Sequence, residues 1–319
     1  MNTTPAASPA PAPAPVPASA SASAPAEATG RPTDEAPRRR VRRRGERGPL
    51  ASAASHGVLI TASLIAFFPV GWLLFLSLGP GKDDYLHPGR IWHTMTLDNY
   101  TFVLQHTSFF DWLRSTLVVV LGTTVIGVVI AATTGYAVSR MRFPGYKKFM
   151  WLLLLTQMFP IAVLIVPMYQ IMSDLGLIDT YLGLILINST TTVPYCAWLL
   201  KGYFDTIPFE IDEAGRVDGL NPFGTFLRLI LPLARPGLAV AAFYSFLTAF
   251  GEVAFASTFM LSDDKYTFAV GLQSFISEHD AQRNLMAATA VLIAIPVSVF
   301  FYLVQKNLVT GLTAGGTKG

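Results

Sequence analysis

From about residue 58 to residue 305, apolar blocks of roughly 20 residues alternate with polar connections. A helix of that length rises about 30 Å, the thickness of the hydrocarbon layer. The pattern predicts an all-α membrane protein with six transmembrane helices, over residues 58–78, 117–138, 149–172, 181–200, 237–261 and 285–305. Pro160 and Pro167 fall in the third block and Pro296 in the sixth. Proline removes a backbone N–H, so kinked helices are expected, with neighbours that re-satisfy the freed carbonyls. The second block contains "TTVIGVVIAATTGYA", whose small residues suit close helix–helix contact rather than lipid.

Composition agrees. The 319 residues are 52% hydrophobic and 13% charged, with a mean hydropathy of +0.46, against roughly 25% charged in a soluble domain. The single cysteine, Cys196, sits in an apolar block; it excludes an internal disulfide and a cysteine-based metal site, and reads as a small core residue. His87 and His93 share a connection with Asp83 and Asp84 but lack metal-site spacing, so no metal is expected.

Residues 1–50 are a different polymer, distinct from the membrane domain of residues 51–319. The first 37 are Pro/Ala/Ser-rich and cannot bury enough surface to order themselves, and no basic segment precedes an apolar one as in a signal peptide. The run "RRRVRRRGER" follows, about ten residues before the first apolar block. That proximity favours anionic membrane lipid over nucleic acid as its partner. With the spans as read, 18 of the 23 Lys and Arg residues lie on one side, which places both termini in the cytoplasm of a multi-pass inner-membrane protein.

On that same side lies residues 205–236, a charged segment between the fourth and fifth blocks. Pro208 suits a first helical turn, and Glu210, Asp212 and Glu213 follow where a helix dipole favours acids. Gly219 fits the position after a helix end, Asn221 an N-cap, and Pro222 the first turn of a second helix. On the first helix Ile211, Ala214, Gly215 and Asp218 share a face whose small residues would admit another protein's surface. By spacing alone the segment is either a docking element or an amphipathic hairpin tucked under the bundle.

"EAGRVDGLNPFGTFLRLILP" resembles the Glu-Ala-Ala loop of ATP-binding-cassette importer permeases: Glu213, Ala214, Gly219, Leu229, Leu231 and Pro232 match, and Gly215 replaces the second alanine. "AVSRMRFPGYKK" and "QMFPIAVLIVPMYQIMSDLGLIDTYLGLIL" resemble the carbohydrate branch, and "LVTGLTAGGTKG" is similar to the C-terminus of the second permease subunit of maltose/maltodextrin importers. The resemblance implies a type I ABC importer permease fold with a cytoplasmic coupling helix between spans four and five. It implies a sugar-importing role without catalysis or cofactor. The implied partners are a second homologous permease, two copies of an ATP-binding-cassette ATPase and an extracytoplasmic sugar-binding protein. Glu213, Ala214, Gly215, Gly219, Leu231 and Pro232 would dock the ATPase. Gly315, Gly316, Thr317 and Lys318 would insert between the two ATPases, the alternative being a frayed end. The outer loop, with Phe275, Ser277, Glu278 and Arg283, would face the binding protein, the alternative being an ordinary surface loop.

The C-terminal "GLTAGGTK" is not a P-loop, since Thr317 precedes Lys318 and one residue follows. Glu252 is the one acid within the spans; it either faces an aqueous pathway or pairs with a polar group of another helix. Gln157 and the "NSTTTVP" segment are further polar candidates, although Ser and Thr in membrane helices commonly bond their own carbonyls. An ion-coupled secondary carrier is the rival reading, and the scarcity of buried acids argues against it. Trp112 and Trp151, near span ends, read as interfacial anchors.

Overall fold

A computed structural model describes residues 49–81, 86–141, 143–276 and 282–314. These residues form helices joined by turns: α1 (Pro49–Ser77), α2 (Pro88–Thr94), α3 (Asp98–His106), α4 (Phe109–Arg140), α5 (Tyr146–Thr156) and α6 (Ile161–Asp174). Then come α7 (Tyr181–Phe204), α8 (Glu210–Val217), α9 (Pro222–Leu233), α10 (Arg235–Phe250), α11 (Ala254–Phe259) and α12 (Arg283–Ala314). Compactness separates Met1–Val58 from Leu59–Gly319, and of the first unit only the opening turns of α1 fall within the described residues.

Four helices are long and apolar enough to cross a membrane, within α1, α4, α7 and α12, and two bent pairs bring the number to six. The third span is not one helix, because α5 and α6 meet at 101°. Pro160 causes the break: it cannot donate to the ladder, and the residue before a proline is pushed out of the helical region. α5 therefore closes in a tightened turn, with Gln157 N–H on Leu154 O and Met158 N–H on Leu155 O. The fifth span differs more from expectation. α9, the second helix of the polar segment, turns into α10 through 83°, and α10 stops at Phe250. Glu252 then starts the separate short α11. Helix continues through Pro167, Pro194 and Pro296.

The small residues of the second block do what their size suggests. Gly127, Ala131, Ala132 and Gly135 are buried on α4. A Cβ on Gly135 would stand 3.0 Å from Ala197 O and Lys201 N, so the backbones of α4 and α7 touch there. Cys196 is fully buried in the same contact region. Trp112 is not an interfacial anchor: it is 5% exposed, edge-on to Phe275 and pressed against Gly271, because α4 begins inside a helical cap at the end of the bundle away from the hairpin. Trp151 is exposed. In that cap, α2 and α3 follow α1, and buried Asn99 donates to Ser77 O and Gly79 O at 2.8 Å while accepting from Asn284 at 2.8 Å.

A second tie joins the α6–α7 turn to the chain after α11. Asp179 has φ +57°, an unusual conformation for a non-glycine residue. Its carboxylate accepts from the N–H groups of Leu261 and Ser262, from the Ser262 hydroxyl at 2.6 Å and from Lys265 Nζ at 2.8 Å. Burial works to raise this carboxyl, but the Lys265 and Ser262 bonds outweigh it and hold it well below the usual carboxylate range. A depressed pKa stabilises the fold above the unfolded value near ~4, and that stabilisation disappears as pH falls toward the folded value. Asp179→Asn should therefore lower the thermal stability of the purified protein at pH 7, with the gap to wild type narrowing on acidification below about pH 4. A gap that does not change with pH would remove the ionic part of this account.

Two glycines of α7 give a second test. A Cβ at Gly183 would overlap the Leu177 carbonyl, whereas nothing lies within 4 Å of one at Gly202. Gly183→Ala should cost about 1–3 kcal/mol, and Gly202→Ala should gain about 0.5–1 kcal/mol, both read from unfolding in detergent.

Candidate functional site

The polar segment folds as its punctuation predicts at Gly219, Asn221 and Pro222, whereas Pro208 precedes the N-cap Phe209 instead of opening α8. Acidic Glu210, Asp212 and Glu213 occupy the first turn of α8. At its end Gly219 has φ +78°, Gly219 N–H bonds Arg216 O at 3.0 Å and Leu220 N–H bonds Gly215 O at 2.9 Å, the paired bonds of a Schellman cap. Asn221 Oδ1 accepts from Gly224 N–H at 2.7 Å and Pro222 opens α9. The middle of α9, Phe226–Ile230, widens into a π-turn, with Leu231 N–H on Phe226 O. Pro232 lies just beyond, and its ring would crowd the Arg228 carbonyl in a regular helix.

The hairpin is rooted in the bundle rather than laid under it. Phe226, Ile230 and Ala234 are buried in one cluster with Tyr136 of α4 and Leu200 and Phe204 of α7. The Tyr136 ring sits 4.8 Å from Phe226 and 6.0 Å from Phe204. The tie to α8 is ionic. Arg140 Nε lies 3.0 Å from Asp212 Oδ2, with side chains 9% and 4% exposed. Tyr136 Oη donates to Asp212 Oδ1 at 2.8 Å, and Arg140 Nη2 donates to Ile207 O at 2.9 Å. Arg140 and Arg216 also stand 5.7 and 5.8 Å from the ring of Phe209. The end of span two is thus bonded to both the entry and the body of α8.

This geometry changes the face assigned from sequence. The buried side of α8 runs through Asp212 and Gly215, while Ala214 and Asp218 are exposed. Gly215 does not offer room to another protein. A Cβ there would stand 2.8 Å from Thr225 Oγ1 and 3.0 Å from Leu229 Cδ1, so its missing side chain lets α8 close on α9. Glu213, Ala214, Val217 and Gly219 are left open to solvent, with Val217 87% exposed. Pro232 is exposed and Leu231 packs partly into the core. Tyr136, Arg140 and Asp212 were not singled out by sequence. Asp212 has acidic neighbours at Glu210 and Glu213, and only its helical spacing from Gly215 distinguishes it.

The other candidates do not gather here. Glu252 accepts from the N–H groups of Phe255 at 2.6 Å and Ala256 at 3.0 Å, so its carboxylate caps α11 instead of reaching another helix. Gln157 is exposed at the α5–α6 break. In α7, Ser189, Thr190 and Thr191 bond carbonyls of their own helix. Phe275 is 7% exposed beneath Trp112, which corrects its placement on the outer surface; its aromatic neighbours draw it into the cap. Arg283 is the exposed first residue of α12. Ser277 and Glu278, the tail residues Gly315, Gly316, Thr317 and Lys318, and the basic run lie outside the described residues.

The described residues form a helical bundle with broken third and fifth spans and a hairpin bonded to span two. The same fold occurs in a chain of the crystal structure of a bacterial ABC transporter involved in the import of the acidic polysaccharide alginate, with TM-score 0.68, 21% identity and coverage of 81% of this chain and 96% of that one. Residues 123–313 match the family described as binding-protein-dependent transport system inner membrane component, and the chain belongs to it. The maltodextrin transport system permease protein MdxG of Bacillus subtilis is 42% identical over 225 residues, 70% of this chain and 81% of the relative. The trehalose transport system permease protein SugB of Mycobacterium tuberculosis is 36% identical over 259 residues, 80% and 93% of the two chains. The protein is a multi-pass permease subunit with the type I ABC importer fold, and the secondary-carrier alternative falls.

The ionic tie is testable without transport. Asp212→Ala strands the Arg140 charge in a buried site and should destabilise the hairpin by about 3–5 kcal/mol. Tryptic cleavage after Arg216 should accelerate. The double change Arg140→Met with Asp212→Leu, which leaves no unpaired charge, should restore much of the protection. Equal cleavage in all three proteins would show that the aromatic root alone holds the hairpin.

Proposed function

We propose that this chain carries oligosaccharides of the maltodextrin or trehalose class as one half of an ATP-driven importer, with α8 as its coupling helix. The observation that carries the proposal is a surface helix whose outer face is free and whose inner face is bonded to span two through Asp212 and Arg140. A rigid link of this kind can transmit a displacement; a loosely attached loop would absorb it. The sugar class follows from the permeases named for maltodextrin and trehalose transport.

In this reading a second homologous permease completes the pathway and a sugar-binding protein delivers substrate from outside. Two ATPase subunits seat the exposed Glu213–Ala214–Val217 face in a groove and perform the hydrolysis, as an amphipathic helix docks in a cleft. The lysine and arginine distribution supports a cytoplasmic hairpin and cytoplasmic termini. Closure of the ATPases displaces α8, and α4 and α7 follow as a rigid body, switching the cavity between its two faces. Differential affinity of the loaded binding protein for the outward state biases the switch. The tail 315–318 reaches the ATPase interface, and the outer loop around residues 277–283 meets the binding protein.

Gly219→Pro provides the direct test. Proline is fixed near φ −65°, whereas this position has φ +78° and uses its N–H in the Schellman cap. The variant should insert in the membrane normally yet lose uptake of labelled maltodextrin. ATPase activity should co-purify with the wild-type chain from its native membranes and be lost with Glu213→Lys, which reverses charge on the free face. Normal uptake by Gly219→Pro, or a wild-type preparation with no ATPase, would overturn the coupling role.

A further inference from the structure

Beside the hairpin, between α5 and α7, lies a cavity of about 420 Å³ lined by Met150, Trp151, Leu154 and Trp198, with Lys147 in the first turn of α5 and Lys201 in the last turn of α7 marking its mouth. The α5 residues recur at helical spacing and so form one continuous wall. Leu154 lies eight residues along α5 from Tyr146, so this wall extends about 12 Å from the mouth. A second cavity, of about 410 Å³, shares Tyr146 and Lys201 with the first and is lined by polar Ser139, Asp205 and Thr206. The two make one groove, apolar in depth and polar at the span ends.

Charge at the mouth is positive. Lys201 pairs with Asp205, whose other oxygen accepts from the Ser139 hydroxyl at 2.7 Å. That carboxylate offsets Lys201 and leaves the charge of Lys147, which is exposed and lines the first cavity. Arg140 reaches the polar cavity but is committed to Asp212. Trp151 and Trp198 are 69% and 50% exposed, two indoles near the membrane–water level, where such rings normally lie.

We propose that this groove binds one anionic glycerophospholipid, with an acyl chain between α5 and α7 and its phosphate at Lys147 and Lys201. The chemistry selects that occupant. A soluble phosphate or nucleotide would leave the apolar wall facing nothing suited to it. A zwitterionic lipid would bring its own ammonium to a basic rim. An anionic lipid satisfies both halves, as basic pockets between membrane helices do elsewhere. The inference depends on the membrane placement of α5 and α7 and not on ATPase docking, so loss of the coupling proposal would leave it standing.

The test uses the full chain, with whatever subunits accompany it, in nanodiscs holding equal amounts of phosphatidylglycerol and phosphatidylcholine. In parallel samples one lipid or the other carries a photoreactive diazirine on an acyl chain. Phosphatidylglycerol should label the peptides containing Trp151 and Trp198 at least about five-fold more than phosphatidylcholine, and each of Lys147→Gln and Lys201→Gln should reduce that labelling by about five-fold. Lys147 is exposed, so its variant separates charge from folding. A photoreactive residue substituted at Phe149, on the exposed side of α5, reports general lipid contact as a control. Equal labelling by the two lipids would reduce the groove to ordinary annular contact. Absence of lipid label at the groove, with a photoreactive residue at Trp198 cross-linking to another polypeptide, would assign the groove to a protein partner. Either result overturns the proposal.

Discussion

A guanidinium and a carboxylate 3.0 Å apart, both nearly removed from solvent, join Arg140 at the end of α4 to Asp212 in the first turn of α8. Neither charge could be buried there alone, since stripping water from one unpaired ion costs several kcal/mol. Together, with Tyr136 donating to the carboxylate and Ile207 accepting from the guanidinium, they fix direction as well as distance. An apolar contact would permit sliding. The rest of the hairpin follows from this constraint: α8 is held at its start, the Schellman cap at Gly219 turns the chain back, and Gly215 lets α9 return close against α8. What remains outside is the face bearing Glu213, Ala214 and Val217.

Charge is placed at the ends of the spans and kept out of their middles. Before the start of α7, Asp179 gathers Lys265, Ser262 and two backbone N–H groups. At the C-terminal end of α7 Lys201 and Ser139 share Asp205. Between these ties the α4–α7 contact depends on shape, with Gly135 against the backbone of α7. Polar fasteners work where solvent can hydrate what they leave unpaired, whereas close packing works inside the hydrocarbon layer. Glu252, between α10 and α11, is consistent with that rule because its oxygens satisfy the backbone N–H groups that a broken helix exposes.

Most of the hairpin was legible in the sequence because its signals are local. Helix caps, a glycine requiring positive φ and a proline at a first turn act within four or five residues; Gly219, Asn221 and Pro222 sit where the residues implied, whereas Pro208 precedes the N-cap Phe209. Six apolar blocks likewise specify helices, since a backbone in lipid has no other way to satisfy its hydrogen bonds along a single segment. The match to the permease family spans residues 123–313 and so includes the segment from Glu213 to Pro232.

Tertiary structure alone decided which side of each helix faces inward. Asp212 and Glu213 are adjacent acids, and only the arrival of Arg140 from 72 positions earlier makes one the buried anchor and leaves the other free. Trp112 and Phe275 read as surface residues until the outer cap closes over them. Gly215 resembles an invitation to a partner until Thr225 is found against it. In each case the deciding neighbour is distant in sequence or lies on another helix. Periodicity records that a helix has a buried side, but the identity of that side depends on what packs against it.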